Sequence, residues 1–150
     1  MAIRQIVQIG DPTLRKRSFE VTDFGPKTQQ LIDDMADTLK QADGAGLAAP
    51  QVGVLRRIFI VNADGKYVEF INPTILKSSG KQLGQEGCLS VKGKWGEVER
   101  PMKVMVNAFD RNGNEFTVKA EGFLARAICH EYDHLEGVIY VDKALSVQEG

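Results

Sequence analysis

The sequence predicts an α+β fold, with antiparallel β-sheets packed around a central C-terminal helix that carries a His-Glu-x-x-His metal motif. Three observations predict it. The stretch from Ile128 to Gly137 has helical spacing, with histidines at positions 130 and 134. Short apolar runs flank Asp64-Gly65 and Asn112-Gly113, two strong hairpin-turn dipeptides. A single earlier helical period, from Pro26 to about Ala42, leaves the middle of the chain to strands. At 150 residues the chain reads as one domain, 1–150. That length suffices to bury about two-thirds of its unfolded surface.

The elements follow in order. Asp11-Pro12-Thr13-Leu14-Arg15 is a capped turn opening a short helix, since proline suits the first helical position. In the helix from Pro26, Leu31, Ile32, Met35 and Leu39 mark the buried stripe, and Gly44 lies beyond its end. Gly44 to Gly53 is rich in glycine and small residues. It reads first as a tight connection, and otherwise as a wall that a ligand can approach closely. Gln51 is its one long polar side chain, and the natural hydrogen-bond donor if the loop lines a site.

Residues 57–62 and 67–72 read as hairpin strands, and Pro73 is expected to end the second within a sheet. Residues 76–83 read as an exposed strand or loop. Lys92 to Gly96 reads as a glycine-bounded turn, with Trp95 over a site or on the core. Residues 104–110 and 116–120 form a second hairpin, after which Glu121-Gly122 opens the metal helix. Gly137 is its αL cap. Val138 to Val141 reads as a last strand, and 144–150 as a frayed tail.

Composition narrows the function classes. Apolar residues make up 43% and charged residues 26%, with 19 basic against 20 acidic side chains and a net charge of -1. This balance gives no electrostatic grip on nucleic acid or on an anionic membrane. No apolar run approaches membrane-spanning length, and the start of the chain reads as no secretory signal. A cytoplasmic location is therefore expected. Two cysteines, Cys88 and Cys129, are too few for a disulfide scaffold.

The chemistry begins with His130 and His134. Positions i and i+4 lie one turn apart on one helix face, so both imidazoles can reach a single cation. These are the only 2 histidines in the chain. The plainer alternative is a helix carrying two surface histidines. Glu131 stands beside the pair as a candidate base. Cys88 alone reads as a small buried residue, but next to two helix-borne histidines its thiolate is a candidate third ligand. Two imidazoles and a thiolate leave a fourth position open, the pattern of a catalytic site, and suit Fe²⁺ or Zn²⁺ better than Mg²⁺ or Ca²⁺. Phe123 and Ala127 share the histidines' face and border the cation on its apolar side. Asp133 orients a histidine, pairs with Arg100, or is simply a solvated acid. Cys129 reads as a core thiol.

Three segments in this order and spacing, Gly44-Ala45-Gly46-Leu47-Ala48-Ala49-Pro50-Gln51, Glu86-Gly87-Cys88-Leu89-Ser90 and His130-Glu131-Tyr132-Asp133-His134, resemble the defining motifs of the peptide deformylases. The likeness extends over essentially the whole chain. It implies an enzyme that hydrolyses the formyl group from the N-terminal formyl-methionine of nascent polypeptides and releases formate. It further implies Cys88, His130 and His134 as ligands, Glu131 as acid/base, and Gln51 with the Leu89 backbone N–H at the oxyanion. Gly46 and Glu86 are implied to line the substrate groove, and an apolar pocket near Phe123 and Ala127 to take the methionine side chain. The implied cofactor is one divalent ion, Fe²⁺ first, with Zn²⁺, Ni²⁺ or Co²⁺ accepted. Formyl-methionyl nascent peptides are the expected partners, with the ribosome surface near the exit as a further contact. Neither sequence-specific nucleic acid nor membrane is expected to bind, and the chain is expected to be a monomer.

Lys92 departs from the pattern where proline is common, Cys129 where glutamine is common, and the C-terminal tail is short. Two other functions compete. A zinc peptidase shares the helix motif, but its third ligand comes from downstream, where only Asp142 and Glu149 stand. A metal-stabilised module that binds N-terminal peptides without turnover would lack Glu131 or Gln51, and both are present.

Overall fold

Proline in its first turn and a left-handed Asp43 (φ 55°) at its end delimit helix α1, Pro26–Ala42. Eight strands follow in the computed structural model, which describes residues 2–149. They are β1 Gly46–Ala48, β2 Ile58–Ala63, β3 Lys66–Ser79, β4 Gln82–Cys88, β5 Val91–Arg100, β6 Lys103–Phe109, β7 Glu115–Glu121 and, after helix α2 (Gly122–Leu135), β8 Ser146–Glu149. All paired strands are antiparallel. One sheet has the order β1-β2-β3-β6-β7 and the other the order β4-β5-β8.

Strand alternation sets the layers. Ala48, Phe59, Val61 and Ala63 pack with α2 residues Leu124, Ala125, Ile128 and Leu135. Leu47, Ile58 and Ile60 point the other way and meet Leu31, Ile32, Met35 and Leu39 of α1. The β1–β2 end of the large sheet is thus buried on both faces, and α2 lies under it as the central helix of the fold. The same parity turns Gly46 toward α2. A third cluster, Leu14, Val91, Val98, Ile139 and Tyr140, seats the small sheet. Among the described residues each sheet has two edge strands, β1 and β7 in the large one and β4 and β8 in the small one.

The Asp64-Gly65 turn has positive φ at both residues (53° and 75°), as a two-residue hairpin requires. Gly137 has φ +77° and ends α2, and a Cβ there would meet the Arg15 carbonyl oxygen. Five expectations are corrected. Pro73 does not stop its strand: the register shifts between Ile71 and Thr74, a bulge absorbs the missing N–H, and β3 runs on to Ser79. Left-handed Asn72 (φ 51°) opens that bulge, and its side chain bonds both the N–H and the carbonyl of Val21. Lys92 to Gly96 is not a turn. It lies in β5, and the turn falls at Leu89-Ser90. Gly44 to Gly53 holds β1 and a 3₁₀ turn, Ala49–Val52. Tyr140–Asp142 is a 3₁₀ turn where a strand was expected. Residues 146–149 are not frayed, because they pair with β5; Gly150 lies outside the described residues.

Candidate metal centre

Helix α2 presents His130 and His134 on its sheet-facing side, both buried. Strand β4 delivers Cys88 from the other sheet, half-buried. One ligand atom from each of the three lies within 4.8 Å of the other two. The Cys88 Sγ is 3.3 Å from His134 Nε2. A single cation bonded at about 2.0–2.3 Å to nitrogen and sulfur needs donors this close. The helical pair and the mid-chain cysteine therefore meet as the sequence led us to expect.

Glu86 shows how the site is held. Its carboxylate takes Arg100 Nε (2.8 Å) and Nη2 (2.9 Å), Arg126 Nη1 (2.7 Å) and His130 Nδ1 (2.8 Å). Burial works to raise the Glu86 carboxyl, but hydrogen bonds and charge from Arg100 and His130 outweigh it and hold it at about 2. An ionised carboxylate only accepts, so His130 Nδ1 carries the proton and Nε2 is left for the cation. Glu86 lines the cleft, yet its side chain is turned to His130 rather than to open space. Arg100 also grips Asp133 at 2.7 Å, which places Asp133 in an ion pair and not against a histidine or in solvent.

Glu131 is buried, with its Oε1 lacking a partner among the described residues. Burial pushes its carboxyl up to about 7, against the nearby charge of His130. A Cβ on Gly46 would come within 2.6 Å of Glu131 Oε2, so glycine there makes room for the carboxylate. Gln51 is buried in the 3₁₀ turn after β1. Its Oε1 accepts from the Ala48 N–H at 2.9 Å, which leaves Nε2 facing Ser90 Oγ (3.1 Å) and the Cys88 sulfur (3.5 Å). Residues 7–9 tie the two motif loops together: Val7 N–H donates to Gln51 O and Ile9 N–H to Ser90 O, each at 2.7 Å.

The thiolate, two imidazoles and an unpartnered buried carboxylate oxygen fit a divalent cation of the iron or zinc type. The cleft above them has a volume of about 330 Å³. Its walls are the Gly44–Gly46 edge, the Gln85–Leu89 edge, and Phe123, Arg126 and Ala127 of α2. Every predicted site residue thus lies in or beside it, Phe123 half-exposed at the rim. Arg126 and Ser90 were not anticipated. The signal for Arg126 was present: a cation one turn before His130 on an otherwise apolar helix. Cys129 is buried away from the cleft, and burial pushes its thiol up to about 11.

The comparisons with known proteins agree with this geometry. The polypeptide deformylase family pattern matches residues 3–149. A peptide deformylase of Caldicellulosiruptor bescii is 52% identical over 145 residues, 97% of this chain and 87% of that protein. Peptide deformylase 1 of Clostridium acetobutylicum is 50% identical over 150 residues, 100% of this chain and 99% of that one. The crystal structure of the Thermotoga maritima peptide deformylase superposes with a TM-score of 0.95 at 37% identity, covering 97% of this chain and 100% of that one. With ligand set, cleft and whole-chain likeness in agreement, the chain belongs to the peptide deformylase family, whose members remove N-formyl groups from nascent peptides.

Proposed function

We propose that deformylation is carried out here by Glu131, Gln51 and the Leu89 backbone N–H, around a divalent cation held by Cys88, His130 and His134. The observation that carries this reading is the meeting of those three donors beside a buried, unpartnered Glu131 oxygen. When bound, the cation supplies Lewis acidity, which makes water nucleophilic at neutral pH. Glu131 accepts the proton as water attacks the formyl carbon. It then delivers a proton to the departing amine, so formate and a free N-terminus result. Gln51 Nε2 and the Leu89 N–H stabilise the charge that develops on the carbonyl oxygen, and one such donor is worth about 3 kcal/mol.

The peptide lies as an extra strand between the open edges of β1 and β4, with backbone pairing that tolerates varied sequence. Phe123 and Ala127 form the apolar wall for the methionine side chain. Gly46 has no room for a side chain, and the narrow space beside it admits a formyl hydrogen and rejects larger acyl groups. The resident ion is Fe²⁺, in keeping with a mixed sulfur and nitrogen set. The enzyme works as a cytoplasmic monomer near the ribosomal exit, where formylated chains emerge.

The peptidase reading gains nothing. Asp142 is paired with Arg15, and neither it nor the exposed Glu149 joins the donor cluster, whose third member is Cys88. The test is anaerobic purification, metal analysis and a formate-release assay on a formyl-methionyl peptide. Formate is expected from the formyl peptide and no acetate from its acetyl counterpart; comparable turnover of both would overturn the narrow site. Glu131→Ala is expected to retain the metal and lose at least about 100-fold in kcat, and substantial residual turnover would reassign the base.

A further inference from the structure

A second cavity, about 660 Å³, opens between the N-terminal segment, the end of α1 and the start of β5. Cys88 and Leu89 line both this cavity and the catalytic cleft, so the two adjoin. Its lining includes Arg4, Lys92 and Lys94 and no acid. Arg4 is held by Asp34 at 2.9 Å. Lys94 reaches only the exposed Glu149, at 3.6 Å. Lys92 is exposed and makes no ion pair among the described residues.

The direction of the strand edge decides what reaches these lysines. Gly46 lies against Glu131, and Gly44 against the side chains of Leu89 and Leu39. Ala42, two residues further back, lines the second cavity. A peptide paired antiparallel to β1, its formylated end at Glu131, leaves the strand at Gly46 on the side of Gly44, whose neighbour Leu89 lines both cavities. At about 3.3 Å per residue its third to fifth residues arrive at the second.

We propose that this cavity is a subsite for an acidic side chain at the third to fifth position of the formylated peptide, held by Lys92 and Lys94. The proposal rests on the deformylase reading and adds a substrate preference to it.

The test uses the metal-loaded enzyme and C-terminally amidated formyl-methionyl peptides, so that the only carboxylate is a side chain. Glu, Gln or Lys is placed at position three, four or five in turn. At low salt the Glu peptide is expected to exceed its Gln counterpart about three- to fivefold in kcat/KM at one or more positions, through KM rather than kcat. That ratio falls to about one in the Lys92→Gln/Lys94→Gln double variant and in roughly 0.5 M salt. Lys92→Glu shifts the preference toward the Lys peptide. Equal rates for Glu and Gln at all three positions, or a ratio that survives the double variant, would overturn the subsite. Absence of formate from every peptide is a different result, and it would overturn the deformylase reading and the subsite together.

Discussion

Gly46 shows how a single missing side chain serves the reaction. A methyl group at this position would press on Glu131 Oε2 at 2.6 Å and on Glu131 Cγ at 2.9 Å. Gly46→Ala is therefore expected to displace the carboxylate. A shift of about 1 Å in a catalytic group costs on the order of 100-fold in rate. Thermal stability should change little, because Glu131 contributes an unpartnered oxygen and not a structural bond. Formate-release kinetics beside a melting curve check this, and a full loss of fold would show that the glycine is structural. The motif resemblance placed this residue at the substrate groove, but its role beside Glu131 was not legible in the sequence. Parity along β1 and the position of α2 give it its meaning.

Between elements, charge is organised in two places. Under α2, Arg126 crosses to β4 and β5, bonding Glu86 at 2.7 Å and the Val98 carbonyl at 3.1 Å. Arg126→Ala leaves the buried Glu86 with one guanidinium fewer, and removing a partner from a buried ion pair costs about 3–5 kcal/mol. Denaturant unfolding should show that loss, together with weaker metal retention as Glu86, the anchor of His130, is held by Arg100 alone. Above the large sheet, Arg111 in the β6–β7 turn joins Glu69 of β3 to Asp33 of α1, at 2.8–2.9 Å. Burial works to raise the Glu69 carboxyl, but Arg111 and Tyr67 hydrogen bonds outweigh it and hold it below the ordinary value of 4.5. A lowered carboxyl stabilises the fold above the unfolded value and loses that contribution as pH falls through the folded one. Glu69→Gln should therefore cost up to about 1 kcal/mol at pH 7, discounted for solvent. The difference from the unaltered protein should vanish well below pH 4.5. Urea midpoints at pH 7 and pH 3 measure it, and a gap that persists in acid would contradict the pairing.

For the whole molecule, the reaction centre sits where two sheets and one helix converge: the large sheet shares one apolar cluster with α2 and a second with α1, and the small sheet sits on a third. The ligands are delivered by elements that these clusters pack together. Chelation is expected to abolish formate release while leaving the far-ultraviolet circular dichroism nearly unchanged. The melting temperature should fall by an amount that depends on free metal concentration. Global unfolding on chelation would mean that the metal organises the fold. The open edges of β1 and β4 belong to the same scale, because the cleft exists only where the edge of one sheet faces the edge of the other.

What the sequence alone determined is whatever depends on local period. The i, i+4 histidines share a helix face by covalent geometry, and the α1 stripe and the Asp64-Gly65 and Asn112-Gly113 turns follow from backbone preferences within a few residues. Residue chemistry made the Cys88 sulfur and Gln51 candidates, and the three motifs gave them roles through resemblance. The tertiary structure decided what depends on partners far away in the chain. Pro73 stays in its strand because β6 tolerates a bulge, and 146–149 becomes a strand because β5 offers an edge. Glu86 becomes the anchor of His130 because Arg100 and Arg126 converge on it from β5 and α2. Such pairings are set by sheet register and helix placement, and neither is encoded in any short window of residues.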